Sequence, residues 1–167
     1  MRTSINFIVF LLLGIFASCQ SATSVPADSR GIAAVDLLLA DMRGASHAVD
    51  ELLAGGQLVT LVFWQTWCSS CLEEAPELAS AAREMEGEMQ FIGVVSGPDR
   101  SVDEVRIDEL VESLGIPYPQ IRDRDLSLAK AFGVEATPTI IVLGAGRKIL
   151  YRGHRALGDW SSLMPDS

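Results

Sequence analysis

From Ile32 onward, apolar residues come in short runs separated by polar and glycine-containing breaks, and two periodicities alternate. Residues 37–40 and 47–49 flank Asp41-Met42-Arg43-Gly44, which predicts a β-hairpin turning around Gly44. Residues 49–53 fit a short helical turn ended by Gly55-Gly56. Leu58-Val59-Thr60-Leu61-Val62-Phe63-Trp64 is an unbroken β-branched and aromatic run, the pattern of a strand buried on both faces. Beyond it Leu78, Ala82, Met85 and Met89 recur at helical spacing, with Arg83, Glu84 and Glu86 off the stripe, so the two methionines read as core. Residues 91–95 read as a second buried strand. Ser101 and Glu104 have the spacing of a capping box. The helix they open would bury Ile107, Leu110, Val111 and Leu114 and end at Gly115. Asp125 is placed to cap a further helix, with Leu128, Ala129 and Phe132 inward and Gly133 at its end. Residues 139–143 form another strand, turned at Gly144 and Gly146 into a hairpin with residues 148–151. Asp159 is expected to cap a last, very short helix. Strands that alternate with helices and finish in a hairpin predict an α/β domain: a central mixed β-sheet flanked by helices.

The N-terminal pattern differs. Arg2 precedes an apolar run over residues 5–16, interrupted only by Asn6 and Gly14. A membrane-spanning helix needs ~20 apolar residues. A charged start, a short apolar stretch and the small residues Ala17 and Ser18 instead fit a secretory signal peptide over residues 1–18. Cys19 follows at once. The junction resembles the lipobox of bacterial lipoproteins, where cleavage precedes a cysteine that becomes lipid-modified; Phe16 departs from the usual leucine. The other reading is an ordinary signal peptide with an incidental cysteine. Residues 19–31, with Pro26 and many Ser, Ala and Asp, then read as the lipidated N-terminus and a tether, and residues 32–167 as the domain.

Composition narrows the function classes. A length of 167 residues, 49% hydrophobic and 21% charged, suits a single globular domain. A net charge of −9 without any basic run argues against nucleic-acid binding. The three cysteines divide into Cys19 and the pair Cys68 and Cys71, leaving none for a structural staple elsewhere.

Cys68-Ser69-Ser70-Cys71 lies at a predicted strand-to-helix junction. Two intervening residues let one helical turn bring the sulfurs into bonding range. The helix N-terminus sets unsatisfied N–H groups beside the first sulfur and favours its thiolate. Cys68 is the expected nucleophile and Cys71 the more buried resolving thiol. Two other readings exist. A structural zinc site would need four ligands, and neither a second cysteine pair nor a paired spacing of His47 and His154 supplies them. A purely structural disulfide closing so short a loop would constrain little chain entropy. No metal and no organic cofactor is expected, and neither histidine is given a role.

Phe63-Trp64-Gln65-Thr66-Trp67-Cys68-Ser69-Ser70-Cys71-Leu72-Glu73-Glu74-Ala75-Pro76 resembles the active-site segment of the thioredoxin superfamily, nearest to its TlpA/ResA-like branch of extracytoplasmic reductases. Gly133-Val134-Glu135-Ala136-Thr137-Pro138-Thr139 resembles that family's cis-proline loop; its plain alternative is a proline starting a strand. The resemblance implies a thioredoxin-like fold with an N-terminal β-hairpin and a helix–strand insertion over residues 101–120. It implies that Thr137 and Pro138 meet substrate, that Trp67 shields the disulfide and offers a surface to partners, and that Trp64 belongs to the core. Thioredoxins carry a buried aspartate where this chain has Val62, and the branch has a glutamate at the position of Glu74. Glu74 is therefore expected to exchange protons with Cys71, the alternative being a solvated helix residue, a description that suits Glu73 better. Ser69-Ser70 replaces the family's frequent proline-containing pair, and the segment after Asp159 is short, which leaves one sheet face thinly covered.

The implied activity is thiol–disulfide exchange that reduces the disulfides of exported client proteins, apocytochrome c among the candidates. The pair would be reset by an upstream membrane or periplasmic reductant. The implied place is the extracytoplasmic, periplasmic side of the bacterial cell envelope, with the lipid holding the protein to a membrane. Three rivals share parts of the pattern: a disulfide-forming oxidant, a peroxiredoxin-like thiol peroxidase and a non-catalytic binding module.

Overall fold

The computed structural model describes residues 29–164. Its central strand is β3 (Leu58–Trp64), and all seven of its residues are buried. β3 runs parallel to β4 (Met89–Ser96) on one side and antiparallel to β6 (Thr139–Gly144) on the other. Parallel β5 (Gln120–Asp123) extends the sheet beyond β4, and antiparallel β7 (Lys148–Gly153) extends it beyond β6. The order is β5-β4-β3-β6-β7. The predicted hairpin forms separately from β1 (Leu38–Ala40) and β2 (Ser46–Ala48). Its turn covers part of the outer edge of β5, where Asp41 bridges Ile121 and the Met42 N–H donates to the Gln120 carbonyl at 2.9 Å.

Side-chain alternation explains the double burial of β3. Val59, Leu61 and Phe63 join Ile92, Val94, Ile141 and Leu143 on one face. There they pack with Val49 and Leu53 of α2 (Val49–Ala54) and with Leu128 and Ala129 of α5 (Ser127–Ala131). Leu58 and Val62 join Ile140 and Val142 on the other face, against Ala75, Leu78 and Ala81 of α3 (Ser69–Glu84). Burying each Val, Leu, Ile or Phe contributes about 1.5–3 kcal/mol, so this two-sided strand is the anchor for everything attached to its ends. At its C-terminal end Trp64, Cys68, Cys71 and Val95 pack with Val102 and with Ile107 and Leu110 of α4 (Glu104–Ser113). At the opposite end Arg147, in the β6–β7 turn, binds both oxygens of Asp50 (2.7 and 2.6 Å). It also donates to the carbonyls of Ile32 (2.6 Å) and Val35 (3.0 Å), which pins the end of α1 (Ser29–Ala34).

Several local expectations change. α3 ends at Glu84, and Met89 begins β4, because Gly87 at φ +88° reverses the chain in a conformation that glycine adopts most readily. Met85 and Met89 are both core, but from different elements. Ser101 does not cap α4: its hydroxyl donates to the Pro98 carbonyl, and Asp103 accepts from the Val105 and Arg106 N–H groups instead. The Asp125 carboxylate accepts from Ser127, whereas Asp123, from the end of β5, receives the Leu128 and Ala129 N–H groups. The insertion's strand lies at 120–123, and α1 begins inside the stretch read as tether. The short C-terminal segment does cover its sheet face: Trp160, buried, packs against Phe91 with ring centroids 5.0 Å apart and the planes tilted by 59°.

Candidate active site

The loop between β3 and α3 is held from below. Trp64, core as expected, donates its indole N–H to Gln120 Oε1 at 2.8 Å, and Gln65 Nε2 donates to the Ser96 carbonyl at 2.6 Å. The Gln120 amide can cross β4 only because residue 93 is glycine: a Cβ there would stand 2.0 Å from Gln120 Oε1. Arg122, with 2% of its side chain exposed, donates to the carbonyls of Val95 and Gly97 and pairs with Glu104, fixing the neighbouring loop after β4.

On this base Cys68 takes the N-cap position of α3, and its sulfur accepts the Cys71 backbone N–H at 3.2 Å. Cys68 and Cys71 are joined in a disulfide, S–S 2.15 Å. The sulfur of Cys68 then has no proton, so the Ser70 hydroxyl, 3.5 Å away, donates to it. Both cysteines are buried, at 7% and 4% exposure, while Trp67 beside them is 74% exposed.

The Thr137–Pro138 peptide bond is cis, and the Thr137 carbonyl oxygen stands 3.5 Å from the Cys68 sulfur. This loop is tied to β7 and the residue that follows it. Arg152 donates to the carbonyls of Phe132 and Gly133. His154 Nδ1 lies 2.7 Å from the Pro138 carbonyl. A carbonyl only accepts, so Nδ1 carries the hydrogen there.

Glu74 is buried, and its neighbour Glu73 is exposed. Glu74 Oε2 accepts the Ala156 N–H at 2.8 Å, and Oε1 is 3.3 Å from the guanidinium of exposed Arg155. The Tyr151 hydroxyl donates to the Arg155 carbonyl, and burial, followed by the Glu74 charge, raises its pKa. Residues 154–156 therefore touch both halves of the site: the proline loop through His154, and α3 through Ala156 and Arg155. Cys68, Cys71, Trp67, Thr137 and Pro138 converge, and Glu74 sits one helical turn past Cys71. Cys19 lies outside the described residues. Sequence reasoning missed His154, Gln120, Arg122 and Asp123. Nothing in their own segments marks them, because each acts on a partner more than fifteen residues away or through another element's end. Among the described residues, no three of His, Cys, Asp and Glu gather to hold a metal ion, and no helix is long and apolar enough to cross a membrane.

The sequence profile of the Redoxin family matches residues 20–159. The chain belongs to the Redoxin family. Among this chain's relatives, thiol-disulfide oxidoreductase ResA of Geobacillus thermodenitrificans is 27% identical over 152 residues, covering 89% of this chain and 83% of the relative. ResA of Bacillus subtilis is 25% identical over 156 residues, covering 89% and 80%. A secreted Mycobacterium tuberculosis disulfide oxidoreductase, homologous to Escherichia coli DsbE, shares the fold. Its structure matches with a TM-score of 0.61 at 21% identity, over 78% of this chain and 88% of that one. The fold of this Redoxin chain is thioredoxin-like, its five-stranded sheet accompanied by the N-terminal hairpin.

Proposed function

We propose that this chain reduces disulfides of exported proteins at the extracytoplasmic face of a bacterial envelope. Its class is thiol–disulfide oxidoreductase. The observation that carries the reading is the Cys68–Cys71 pair at the N-terminus of α3, with the Thr137 carbonyl against Cys68. In the reduced protein the Cys68 thiolate attacks one sulfur of a client disulfide. A Cys68–client bond forms, the client's own disulfide breaks, and one client thiolate leaves. The Cys71 thiolate then attacks Cys68, releasing the second client thiolate and closing the Cys68–Cys71 disulfide. The client gains two electrons and its thiolates take up two protons. A dithiol reductant, in the membrane or the periplasm, reverses the change on the pair.

The residues divide the work. A hydrogen bond to a charged group contributes about 1.5–3 kcal/mol, against about 0.3–1 kcal/mol for a charge at a helix end. The Cys71 N–H is thus the main stabiliser of the Cys68 thiolate, and the helix dipole adds to it. Trp67, Thr137 and Pro138 receive the client. Glu74, one turn from Cys71, handles that thiol's proton. Cys19 carries the lipid after removal of residues 1–18. The same geometry could run in the oxidising direction, so the potential of the pair decides. A value near −270 mV, roughly that of thioredoxin, supports the reductase, and one near roughly −120 mV supports an oxidant.

The direct test is trapping. Reduced Cys71→Ser mixed with an oxidised client such as insulin should accumulate a mixed disulfide through Cys68, seen on non-reducing gels and by mass spectrometry. Cys68→Ser should trap little. Equal trapping by both variants refutes the assignment of roles.

A further inference from the structure

We infer that His154 is a positioning residue of the client site: its Nδ1–H holds the Pro138 carbonyl and so sets where the loop that receives the client lies against Cys68. The inference rests on the oxidoreductase reading above. The loop is tied at its start, where the Val134 N–H donates to the Ala129 carbonyl and Arg152 donates to the carbonyls of Phe132 and Gly133. At its other end the Thr139 hydroxyl donates back to the Ala136 carbonyl at 2.6 Å, a bond within the loop itself. Thr137 and Pro138 lie between these two, and the Thr137 carbonyl stands 3.5 Å from the Cys68 sulfur. Among the described residues, His154 supplies the one side-chain hydrogen bond to this dipeptide apart from the Cys68 contact, at 2.7 Å to the Pro138 carbonyl.

Strand register brings His154 to this place. The β6–β7 ladder runs as far as Ile140 opposite Gly153, and His154 is the next residue. The turn around it is fixed from both sides. A Cβ on Gly153 would stand 2.1 Å from the Tyr151 hydroxyl, so only glycine leaves room for that hydroxyl to close the turn on the Arg155 carbonyl at 2.8 Å. The Ala156 N–H then anchors the turn to Glu74 of α3. Neutral imidazole in water prefers its hydrogen on Nε2, whereas the bond to a carbonyl demands it on Nδ1, so this contact selects the ring's tautomer. His154 is itself exposed, and one hydrogen bond in water adds little to the free fold. A client chain laid along Thr137 and Pro138 shields the contact from water, where a hydrogen bond is stronger. The bond therefore acts chiefly on the client-bound state.

Two substitutions separate the donor from the ring. His154→Asn keeps an N–H near the place of Nδ1 and loses the ring, whereas His154→Phe keeps a ring and loses the donor. Each protein, recycled with dithiothreitol, is assayed on a cystine peptide and on hydroxyethyl disulfide, which has no peptide group to lie along the loop. The peptide is also run as its dithiol against oxidised protein. His154→Phe should lose roughly threefold to tenfold in kcat/KM on the peptide, the range that one hydrogen bond supplies, through a raised KM with kcat kept. On hydroxyethyl disulfide it should match wild type, and it should melt as wild type does. His154→Asn should stay within about twofold of wild type on both substrates. NMR of the nitrogen-labelled rings in alkaline buffer should show the hydrogen on Nδ1 in the signal that His154→Asn removes. The inference is overturned by an Nε2–H ring, by His154→Asn as impaired as His154→Phe, or by His154→Phe that equals wild type on the peptide. A loss confined to kcat, or an equal loss on both disulfides, also overturns it, since either would make His154 a support of the cysteine pair or of the fold. Exchange confined to the oxidising direction, with the same order of variants, overturns the reductase reading and leaves the role of His154 in place.

Discussion

Glu74 is a buried carboxylate whose two oxygens have different partners, a backbone N–H from Ala156 and the solvent-exposed guanidinium of Arg155. Glutamine keeps an acceptor for Ala156 and gives up the ion pair, which is worth little where Arg155 is exposed. Glu74→Gln should therefore fold with a stability within about 1 kcal/mol of wild type. Its effect belongs to Cys71: an anion one turn away opposes formation of a second anion. Without that charge, the alkylation rate of reduced Cys71 should rise at lower pH than in wild type, whereas Glu73→Gln, on the exposed side, should leave the profile in place. Alkylation against pH, with mass spectrometry separating Cys68 from Cys71, reads this directly; an unmoved Glu74→Gln profile removes Glu74 from the proton path. The cysteine pair, Trp67, Pro138 and Glu74 could be named as candidates from the sequence because each is marked inside a short segment. His154 was not, since its partner, the Pro138 carbonyl, is chosen by the pairing of β6 and β7 and by nothing near His154 itself.

Elements were legible where hydrophobic pattern alone defines them. β3 begins and ends where its apolar run does, and the hairpin turn falls at Gly44 as expected. Boundaries set by one capping contact were harder, because several acidic or hydroxyl residues near each helix start compete and only tertiary placement selects among them. α5 is the clearest instance. Asp123 ends a strand, is 3% exposed, and gathers the Leu128 and Ala129 N–H groups together with the Ser96 hydroxyl. Asp125, the expected cap, stays on the surface with Ser127. Asp123→Ala leaves those buried donors unpaired and should cost about 2–3 kcal/mol, lowering Tm by about 10 °C, while Asp125→Ala should cost well under half of that. Thermal unfolding followed by circular dichroism compares the two; equal losses would return the cap to Asp125.

At the scale of the whole molecule, the clamp of Arg147 on Asp50 and α1 joins segments 97 and 115 residues apart. The Arg147 guanidinium holds the Asp50 carboxyl below the usual carboxylate range. A lowered pKa contributes stability above the unfolded value, about 3.9, and loses it as pH falls through the folded value. Asp50 is more than half exposed, so screening keeps the contribution to about 0.5–1 kcal/mol. Asp50→Asn should be less stable than wild type by that amount at pH 6 and should converge with it near pH 2.5, as urea unfolding at the two pH values will show. A gap that persists in acid means packing, not charge, joins these segments. For the anchor, Cys19→Ala should move the protein from membrane to soluble fractions and abolish incorporation of labelled fatty acid; an unlabelled wild type would reduce the N-terminus to a secretion signal. The clamp also fixes the C-terminal half of α1 at one end of the sheet. Ile32 and Val35 are tied to the β6–β7 turn, a strand length, about 20 Å, from the end of β3 that carries Cys68. If Cys19 carries the proposed lipid, the domain would be moored on at most about 35 Å of chain ahead of α1, from the end opposite its reactive bow. In that arrangement soluble clients would approach the reactive end unobstructed, whereas a reductant embedded in the bilayer would reach it only when the whole domain rolls over.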